Sequence, residues 1–326
     1  MIPLLDVQNL SVTFHTPQGP VRAVDDVSLQ VGPGEVFGLV GESGSGKSVT
    51  LRAIGRLLPT ATITGQARWH GEDLLTAPTP RLRAIRGAGI GMIFQEPTAA
   101  LNPVLTIGRQ IEESLAAHTD LTRPQRRIRA IELLGLVGIP SATQRLAQYT
   151  HEFSGGMRQR AMIAIALAAS PKLLLADEPT TALDVTIQDQ VLKLLLRLVD
   201  ELRMALILVT HDLGVVAETC DRMAVLYAGR ICETGPAAAI FAHPRHAYTD
   251  ALLRSMPGTA PPRTMLRAIQ GQPPRLDTLA PGCAFTPRCP YAEPLCPTDQ
   301  PGLTPQPEGQ QAACHASPRL PARLTQ

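Results

Sequence analysis

The sequence predicts an α/β protein in which helices wrap a parallel sheet. Three short apolar runs, Val36–Val40, Leu173–Ala176 and Leu206–Thr210, are typical of strands that are buried on both faces. Helical patterns follow the first two runs, at 49–58 and 188–203. We therefore expect these strands to pair in parallel and to bind ligands at the carboxyl edge of the sheet.

Two further elements are expected near these runs. Val24–Val31 alternates apolar and polar residues as a half-buried strand does, and Gly32-Pro33-Gly34 turns the chain after it. Another helix is expected to begin near Ser154 and to stop at Ser170-Pro171, because proline disfavours a helical conformation in the residue before it.

Composition and patterning exclude several classes of protein. Hydrophobic residues make up 44% of the 326, so a sizeable core can form and wholesale disorder is excluded. A net charge of +2 is not typical of a nucleic-acid-binding protein, and we expect no nucleic-acid partner. The longest apolar run, Ala161–Ala169, is about half as long as a membrane-spanning helix. No basic segment opens the N-terminus, so we expect a cytosolic chain whose membrane role, if any, depends on a partner.

Proline and cysteine are concentrated near the C-terminus. Fourteen of the 30 prolines and four of the six cysteines lie in the last 66 residues. We therefore expect an α/β domain at 1–235, followed at 236–326 by a small, irregular, Cys- and Pro-rich extension that is poor in helices and strands. In a cytosolic chain, such cysteines are more often thiols or metal ligands than disulfides.

A glycine-rich loop joins the first apolar run to the helix after it. Gly41-Glu42-Ser43-Gly44-Ser45-Gly46-Lys47-Ser48 matches the phosphate-binding pattern G-x-x-x-x-G-K-[ST] in full, and an ordinary Gly/Ser turn is the alternative. Glycines let consecutive backbone N–H groups point at an anion, and the helix N-terminus adds positive potential. We expect Lys47 to contact the β- and γ-phosphates of ATP and Ser48 to ligate Mg²⁺. The predicted nucleotide-binding residues here are Gly41, Ser43, Gly44, Ser45, Gly46, Lys47, Ser48 and Val49.

Two adjacent acids follow the second apolar run. Asp177-Glu178 would be costly at the end of a buried strand unless a cation or an ordered water used them. We expect Asp177 to hold Mg²⁺ through its water shell and Glu178 to polarise the water that attacks the γ-phosphate. A helix N-cap near Pro179 is the alternative, and it accounts for one acid only.

A pair of glycines opens the predicted helix of 154–170. Ser154 is a good N-cap, and Gly155 and Gly156 would let a phosphate approach bare backbone at the positive end of the helix dipole. By itself, Ser-Gly-Gly is equally compatible with an ordinary loop.

Taken together, these motifs resemble those of ABC-transporter ATPase subunits over residues 1 to about 235. The resemblance implies a P-loop NTPase fold, with a RecA-like core, an antiparallel β subdomain and an α-helical subdomain, and it implies ATP hydrolysis coupled to transport. The motifs that carry it, in order, are Gly41–Ser48, Gln95, Ser154-Gly155-Gly156, Leu173–Glu178, Ala182-Leu183-Asp184 and His211.

The resemblance also implies roles for residues that the patterns alone do not assign. Gln95 is similar to the loop glutamine that senses Mg²⁺ and faces the membrane subunits, and His211 to the switch histidine on the γ-phosphate. Asp184 resembles the aspartate that couples two ATP sites, and Phe14 takes the place of the aromatic residue that stacks on adenine.

Ser154 and Gly156 resemble the signature residues, which contact the γ-phosphate bound by the opposite subunit. The signature departs from the usual Leu-Ser-Gly-Gly-Gln, because Phe153 and Met157 flank its Ser-Gly-Gly. Met157 cannot donate the hydrogen bond of a glutamine, which favours slower turnover at the site that it completes. Because Ser154, Gly155 and Gly156 are intact, we expect both this chain's own site and its contribution in trans to work.

Finer features resemble the ATPases of dipeptide/oligopeptide importers. They are the stretches 95–103, 149–153 and 243–253, the last of which opens a C-terminal extension like that of the subfamily. Relatives that serve nickel, glutathione or opine uptake leave the solute open. The resemblance implies two integral-membrane permease subunits, a second and paralogous ATPase subunit, and an extracytoplasmic solute-binding protein. It places the chain on the cytoplasmic face of the cell (inner) membrane. A soluble ABC ATPase acting on ribosomes or DNA, and a non-catalytic or redox-sensing partner, are the alternatives.

Four cysteines in the extension are candidate metal ligands, although no C-x2-C pair is present. The extension has few large apolar residues, so a cross-link would stabilise it. Four thiolates could hold a [4Fe–4S] cluster, which the resemblance favours over zinc or free thiols. His315 is a possible substitute ligand, whereas Cys220 and Cys232 are expected to be buried small apolar residues. The predicted ligands are Cys283, Cys289, Cys296 and Cys314.

Overall fold

Residues 3–181, 184–256, 269–317 and 320 are described by the computed structural model. Ala182 and Leu183, part of the motif before Asp184, lie outside the described residues. The chain divides into two units, the first made of residues 1–75 and 209–326 and the second of residues 76–208.

Strands and helices alternate through much of the described chain, as predicted. The strands are β1 Leu5–Thr16, β2 Gly19–Val31, β3 Val36–Val40, β4 Ala61–Trp69, β5 Glu72–Asp73, β6 Ile90–Ile93, β7 Leu173–Asp177, β8 Ala205–Thr210, β9 Arg222–Tyr227, β10 Arg230–Pro236, β11 Thr304–Pro305 and β12 Gln311–Ala312. The helices are α1 Lys47–Ile54, α2 Thr79–Ala88, α3 Pro97–Ala100, α4 Ile107–His118, α5 Arg123–Leu136, α6 Ala142–Arg145, α7 Gly155–Leu167, α8 Val185–Glu201, α9 Leu213–Thr219, α10 Ala237–Ala242 and α11 Ala247–Arg254.

The first unit contains the antiparallel sheet that the family resemblance implies. Its strand order is β2-β1-β4-β5, and β1 pairs with β2 on one side and with β4 on the other. Apolar residues alternate with polar ones along β1 and β2, so one face of the sheet is buried and the other is solvated.

The same unit contains strands in the order β11-β12-β10-β9-β3. β3 pairs in parallel with β9, whereas β9 and β10 form an antiparallel hairpin. β3 is buried almost throughout, which explains its unbroken apolar sequence. Its carboxyl end leads directly into the glycine-rich loop and α1, so a rigid strand anchors that loop.

The C-terminal extension contributes to the hydrophobic core of the first unit. Tyr248 and Phe285 are fully buried, and their rings contact each other and the ring of Tyr227. The expectation that the extension is poor in helices is wrong for 237–254, because α10 and α11 lie there. Both helices bury apolar side chains against the strands of the unit, and this burial stabilises them.

The second unit combines strands in the order β8-β7-β6 with helices α2 to α8. β6 and β7 are parallel, with Ile90 opposite Leu173 and Ile93 opposite Ala176. α7 ends at Leu167, a turn before the predicted stop at Ser170-Pro171, and α8 begins three residues before the predicted 188. No helix of the described chain is both long and apolar enough to cross a bilayer.

Candidate functional site

The glycine-rich loop of the first unit wraps the N-terminus of α1, as the phosphate-binding pattern predicts. Gly46 caps the helix in the left-handed region, with φ 103°. A Cβ atom at this position would lie 2.6 Å from the carbonyl oxygen of Ala23, so no other residue fits without a shift of the backbone. The main chain of this loop is therefore bare where an anion would approach the helix N-terminus.

Lys47 is the first residue of α1 and is buried inside the loop. Its Nζ donates hydrogen bonds to the carbonyl oxygens of Gly41, at 2.8 Å, and Glu42, at 2.9 Å. The lysine thus fixes the curvature of the loop while its cationic group stays at the centre of the turn. An ammonium in this position is suited to a polyphosphate.

The serines of the loop fit a phosphate and its metal ion. Ser45 Oγ is buried and has no hydrogen-bond partner among the described residues, which is costly unless a bound group satisfies it. Ser43 and Gly44 are exposed at the tip of the loop, and Ser48 and Val49 are half-buried in the first turn of α1. A hydroxyl oxygen such as that of Ser48 is a ligand that Mg²⁺ accepts.

Two other predicted residues belong to the first unit. Phe14 lies in β1, half-buried, between its partners Val21 and Ala61 on the neighbouring strands. His211 follows the last residue of β8 and is exposed. Asp212, beside it, caps α9 by accepting the N–H groups of Gly214 and Val215.

In the second unit, the Glu178 carboxylate is held directly after β7. Its Oε2 atom accepts hydrogen bonds from Gln95 Nε2, at 3.1 Å, and from Thr181 Oγ1, at 2.8 Å. The backbone of Glu178 is left-handed, with φ 45°, a conformation that costs free energy in a non-glycine residue. The structure therefore brings together two predicted residues, Gln95 and Glu178, and adds Thr181.

Asp177 is the last residue of β7 and is completely buried. Gln95 lies two residues beyond the end of β6, the parallel neighbour of β7, so both side chains are at the carboxyl edge of these strands. Carboxylate and amide oxygens are ligands that Mg²⁺ prefers, and the donor types of Asp177 and Gln95 fit that ion.

The remaining predicted residues of the second unit are at helix N-termini. Ser154 caps α7 by accepting the Met157 N–H, and Asp184 caps α8 by accepting the Ile187 N–H. Ser154, Gly155 and Asp184 are exposed, whereas Gly156 is half-buried and a Cβ atom there would lie 2.9 Å from the Ile187 side chain. Exposed caps of this kind are open to an anion bound by another protein.

The four C-terminal cysteines line one small pocket. Burial raises the pKa of each thiol, that of Cys289 to about 11. Backbone N–H groups nevertheless point at the sulfurs, for example from Glu293 to Cys296 Sγ at 3.3 Å. His315 lines the same pocket and contacts Asp299.

The expected [4Fe–4S] cluster, like its zinc alternative, is not supported. Within the described ranges, no group of three or more His, Cys, Asp or Glu side chains is arranged to hold a metal ion. Cys232 is buried in the core of the first unit, as expected, whereas Cys220 is only half-buried and packs against that core.

Three residues that contact the predicted site were not found from the sequence. They are Thr181, on Glu178, and Tyr248 and Arg288, which bind Glu42 inside the glycine-rich loop. Arg288 and Glu42 are 246 positions apart, and arginine is common in this chain, so no local signal marks the pair.

Comparison with known proteins agrees with the site. Residues 24–181 match the family described as ABC transporter, and residues 232–296 match the oligopeptide/dipeptide transporter C-terminal region. A putative peptide import ATP-binding protein of Brucella abortus is 52% identical over 98% of this chain and 96% of its own length. The dipeptide transport ATP-binding protein DppD of Escherichia coli is 48% identical over 96% of both chains.

Solved structures agree on the fold. The post-hydrolysis dimer of the ATP-binding cassette MJ0796, bound to ADP and Pi, is 30% identical with a TM-score of 0.65. It covers 72% of this chain and 98% of its own. The extent of these matches, together with the phosphate-binding loop, shows that the chain belongs to the ATP-binding proteins of ABC transporters, in the group that has the oligopeptide/dipeptide transporter C-terminal region.

Proposed function

We propose that this chain is the ATP-hydrolysing subunit of an importer for dipeptides, oligopeptides or a related small solute. The observation that carries the proposal is the Glu178 carboxylate, held by Gln95 and Thr181 at the end of a buried strand. The names of the relatives, peptide import and dipeptide transport ATP-binding proteins, support the peptide cargo.

The glycine-rich loop binds the phosphates of ATP through its backbone N–H groups, and Lys47 places its charge on the β- and γ-phosphates. Ser48, Asp177 and Gln95 would hold Mg²⁺. When bound, this ion neutralises the charge that develops on the phosphates. Phe14 stacks on adenine.

Glu178 accepts a proton from the water that attacks the γ-phosphate, and His211 contacts that phosphate. The hydrogen bonds from Gln95 and Thr181 fix where the carboxylate points.

A second ATPase subunit, related to this chain, completes each nucleotide site. Ser154, Gly155 and Gly156 contact the γ-phosphate that the partner binds, and Asp184 couples the two sites. The exposure of Ser154, Gly155 and Asp184 supports these roles in trans. Met157, in place of glutamine, would slow the site that it completes.

Two permease subunits in the membrane are the partners that hydrolysis drives, with a solute-binding protein outside the cell. The segment after Gln95 supports this proposal, because α3 has no buried residue and Val104 is 75% exposed. We place the chain peripherally on the cytoplasmic face of the inner membrane. Nickel, glutathione and opines remain alternative solutes. We also propose residue 235 as the boundary in the sequence between the ATPase domain and the C-terminal extension.

The cysteine pocket is the proposed site of a [4Fe–4S] cluster, with zinc as the alternative. All four cysteines line this one pocket, and the Glu293 N–H donates a hydrogen bond to Cys296 Sγ, as N–H groups do to the sulfurs of iron–sulfur clusters. Iron, zinc and acid-labile sulfide would be measured in the anaerobically purified full chain and in Cys289→Ser. Stoichiometric iron and sulfide, lost in the variant, would support the cluster, and a metal-free chain would refute it.

The function is tested by trapping the complex. We expect Glu178→Gln to bind ATP but hardly hydrolyse it, and to copurify from native membranes with two permease chains and a second ATPase. Glu201→Gln, at the exposed end of α8, is the matched control and should turn over normally. Capture of ribosomal proteins or DNA-binding factors without a permease would overturn the importer.

A further inference from the structure

The phosphate-binding loop of the first unit is bonded to the C-terminal extension. The carboxylate of Glu42, the second residue of the loop, accepts two parallel hydrogen bonds from the Arg288 guanidinium, at 2.7 and 2.9 Å. The Glu42 backbone N–H donates to the hydroxyl of Tyr248, in α11, at 2.7 Å. The extension therefore holds both the side chain and the main chain of one loop residue.

Other residues of the first unit hold the Arg288 side chain in place for its contact with Glu42. Its side chain is only 5% exposed and lies over the rings of Tyr227 and Phe285. It also donates to the Tyr227 hydroxyl at 3.2 Å and, through Nε, to the Gln270 carbonyl at 2.9 Å. Because these contacts hold the Arg288 guanidinium in place, its paired hydrogen bonds restrict the Glu42 carboxylate to one orientation. A flexible ion pair on the surface would not restrict it in this way.

The contact reaches the lysine of the nucleotide site in two steps. Arg288 fixes Glu42, and the Glu42 carbonyl accepts a hydrogen bond from Lys47 Nζ.

The ion pair between Arg288 and Glu42 also changes the charge of the loop. Glu42 is an anion inside a loop that binds an anion, and a neutralising cation at 2.7 Å removes most of the repulsion.

We propose that the C-terminal extension sets the nucleotide affinity of the phosphate-binding loop, with Arg288 and Tyr248 as its positioning residues. This inference rests on the proposed ATP-binding function. It assigns the extension a direct role at the ATP site. Arg288 orients the loop and cancels the Glu42 charge, and Tyr248 fixes the first turn of the loop.

The test measures the Kd for ATP and steady-state hydrolysis in the full-length chain. Arg288→Met leaves the Glu42 carboxylate uncompensated, so the Kd should rise about tenfold while kcat at saturating ATP stays within about twofold. The double variant Glu42→Gln/Arg288→Met removes the repelling charge as well, and its Kd should return to within about threefold of wild type. A general loss of structure would not be repaired by this second substitution.

Three controls decide the outcome. Arg275→Met breaks an ion pair of the same extension whose arginine is 80% exposed, and it should bind ATP normally. Lys47→Ala should not bind ATP, and a wild-type chain that binds no better than this variant would refute the proposed function itself. If Arg288→Met does not fold, Arg288→Lys, which keeps the charge but loses the paired contact, should raise the Kd about threefold. Normal ATP affinity in the Arg288 variants, or no recovery in the double variant, would overturn the proposal.

Discussion

Thr181 contacts the Glu178 carboxylate, and this contact indicates that it positions the carboxylate. Its hydroxyl donates to Glu178 Oε2 at 2.8 Å, the shorter of the two hydrogen bonds on that atom. We predict that Thr181→Ala lowers kcat about tenfold, because a hydrogen bond to an ionised group is lost. KM for ATP should change little, since the threonine acts through the carboxylate. Steady-state ATPase assays measure both quantities.

Matched substitutions separate this role from packing. Thr181→Ser keeps the hydroxyl and should retain most of the activity, whereas Thr186→Ala, exposed in the first turn of α8, should be neutral. Equal losses in the alanine and serine variants would show that the methyl group, and not the hydrogen bond, matters at this position.

Single residues were predictable where the chemistry is local in sequence. Lys47 and Ser48 belong to an eight-residue pattern, and Asp177-Glu178 stand out because two acids end an apolar strand. Arg288 was not predictable, because its meaning depends on Glu42, far away in the chain. The sequence also places the four C-terminal cysteines in one region but does not define the geometry between their sulfurs.

At the scale of elements, α11 is joined to β10 by a buried carboxylate. Glu233, in β10, is fully buried and accepts the backbone N–H groups of Arg245, at 2.7 Å, and His246, at 2.9 Å. Burial raises the pKa of Glu233 from 4.5 to about 7 and lowers the pKa of His246 from 6.5 to about 4. The two groups therefore affect stability in opposite directions.

The Glu233 effect can be isolated by substitution. Between pH 4.5 and 7 the folded chain binds the Glu233 proton more tightly than the unfolded chain, so this group's contribution to stability falls as pH rises. Between pH 4 and 6.5 the unfolded chain binds the His246 proton more tightly, and that contribution rises with pH. As pH rises from 5 to 7, we predict that the free energy of unfolding of Glu233→Gln increases by about 2 kcal/mol relative to that of wild type.

Urea unfolding at a series of pH values measures this gain. Glu132→Gln, whose side chain is 55% exposed on α5, is the control and should show a difference from wild type that does not vary with pH. A Glu233→Gln difference that is equally flat would mean that Glu233 titrates in the ordinary range.

Elements were predictable where burial leaves a simple pattern. β3, β7 and β8 are short apolar runs because both of their faces are covered, and their bounds were found to within one residue. α10 and α11 were missed because the proline-rich segment around them suggested irregular structure. Their apolar side chains become informative only once the strands that they cover are known.

At the scale of the whole molecule, sequence order and packing differ. Residues 1–75 and 209–326 form one unit although more than a hundred residues separate them. The same hydrophobic core holds Val40 and Tyr227 from before residue 235, and Tyr248 and Phe285 from after it. The division at 235 predicted from composition therefore crosses a continuous core.

This packing predicts the result of truncation. A chain that ends at residue 235 loses Tyr248, Leu253 and Phe285, which are at most 1% exposed, and it uncovers the strands beneath them. Removal of each large buried side chain costs about 3 kcal/mol or more. The three losses together are comparable to the 5–15 kcal/mol that stabilises a typical domain. We expect the truncated chain to bind no ATP and to lack a cooperative thermal transition. A chain ending at Leu320, which keeps the core, should behave as wild type. Wild-type ATP affinity and cooperative unfolding in the shorter chain would instead make 1–235 a domain that folds by itself.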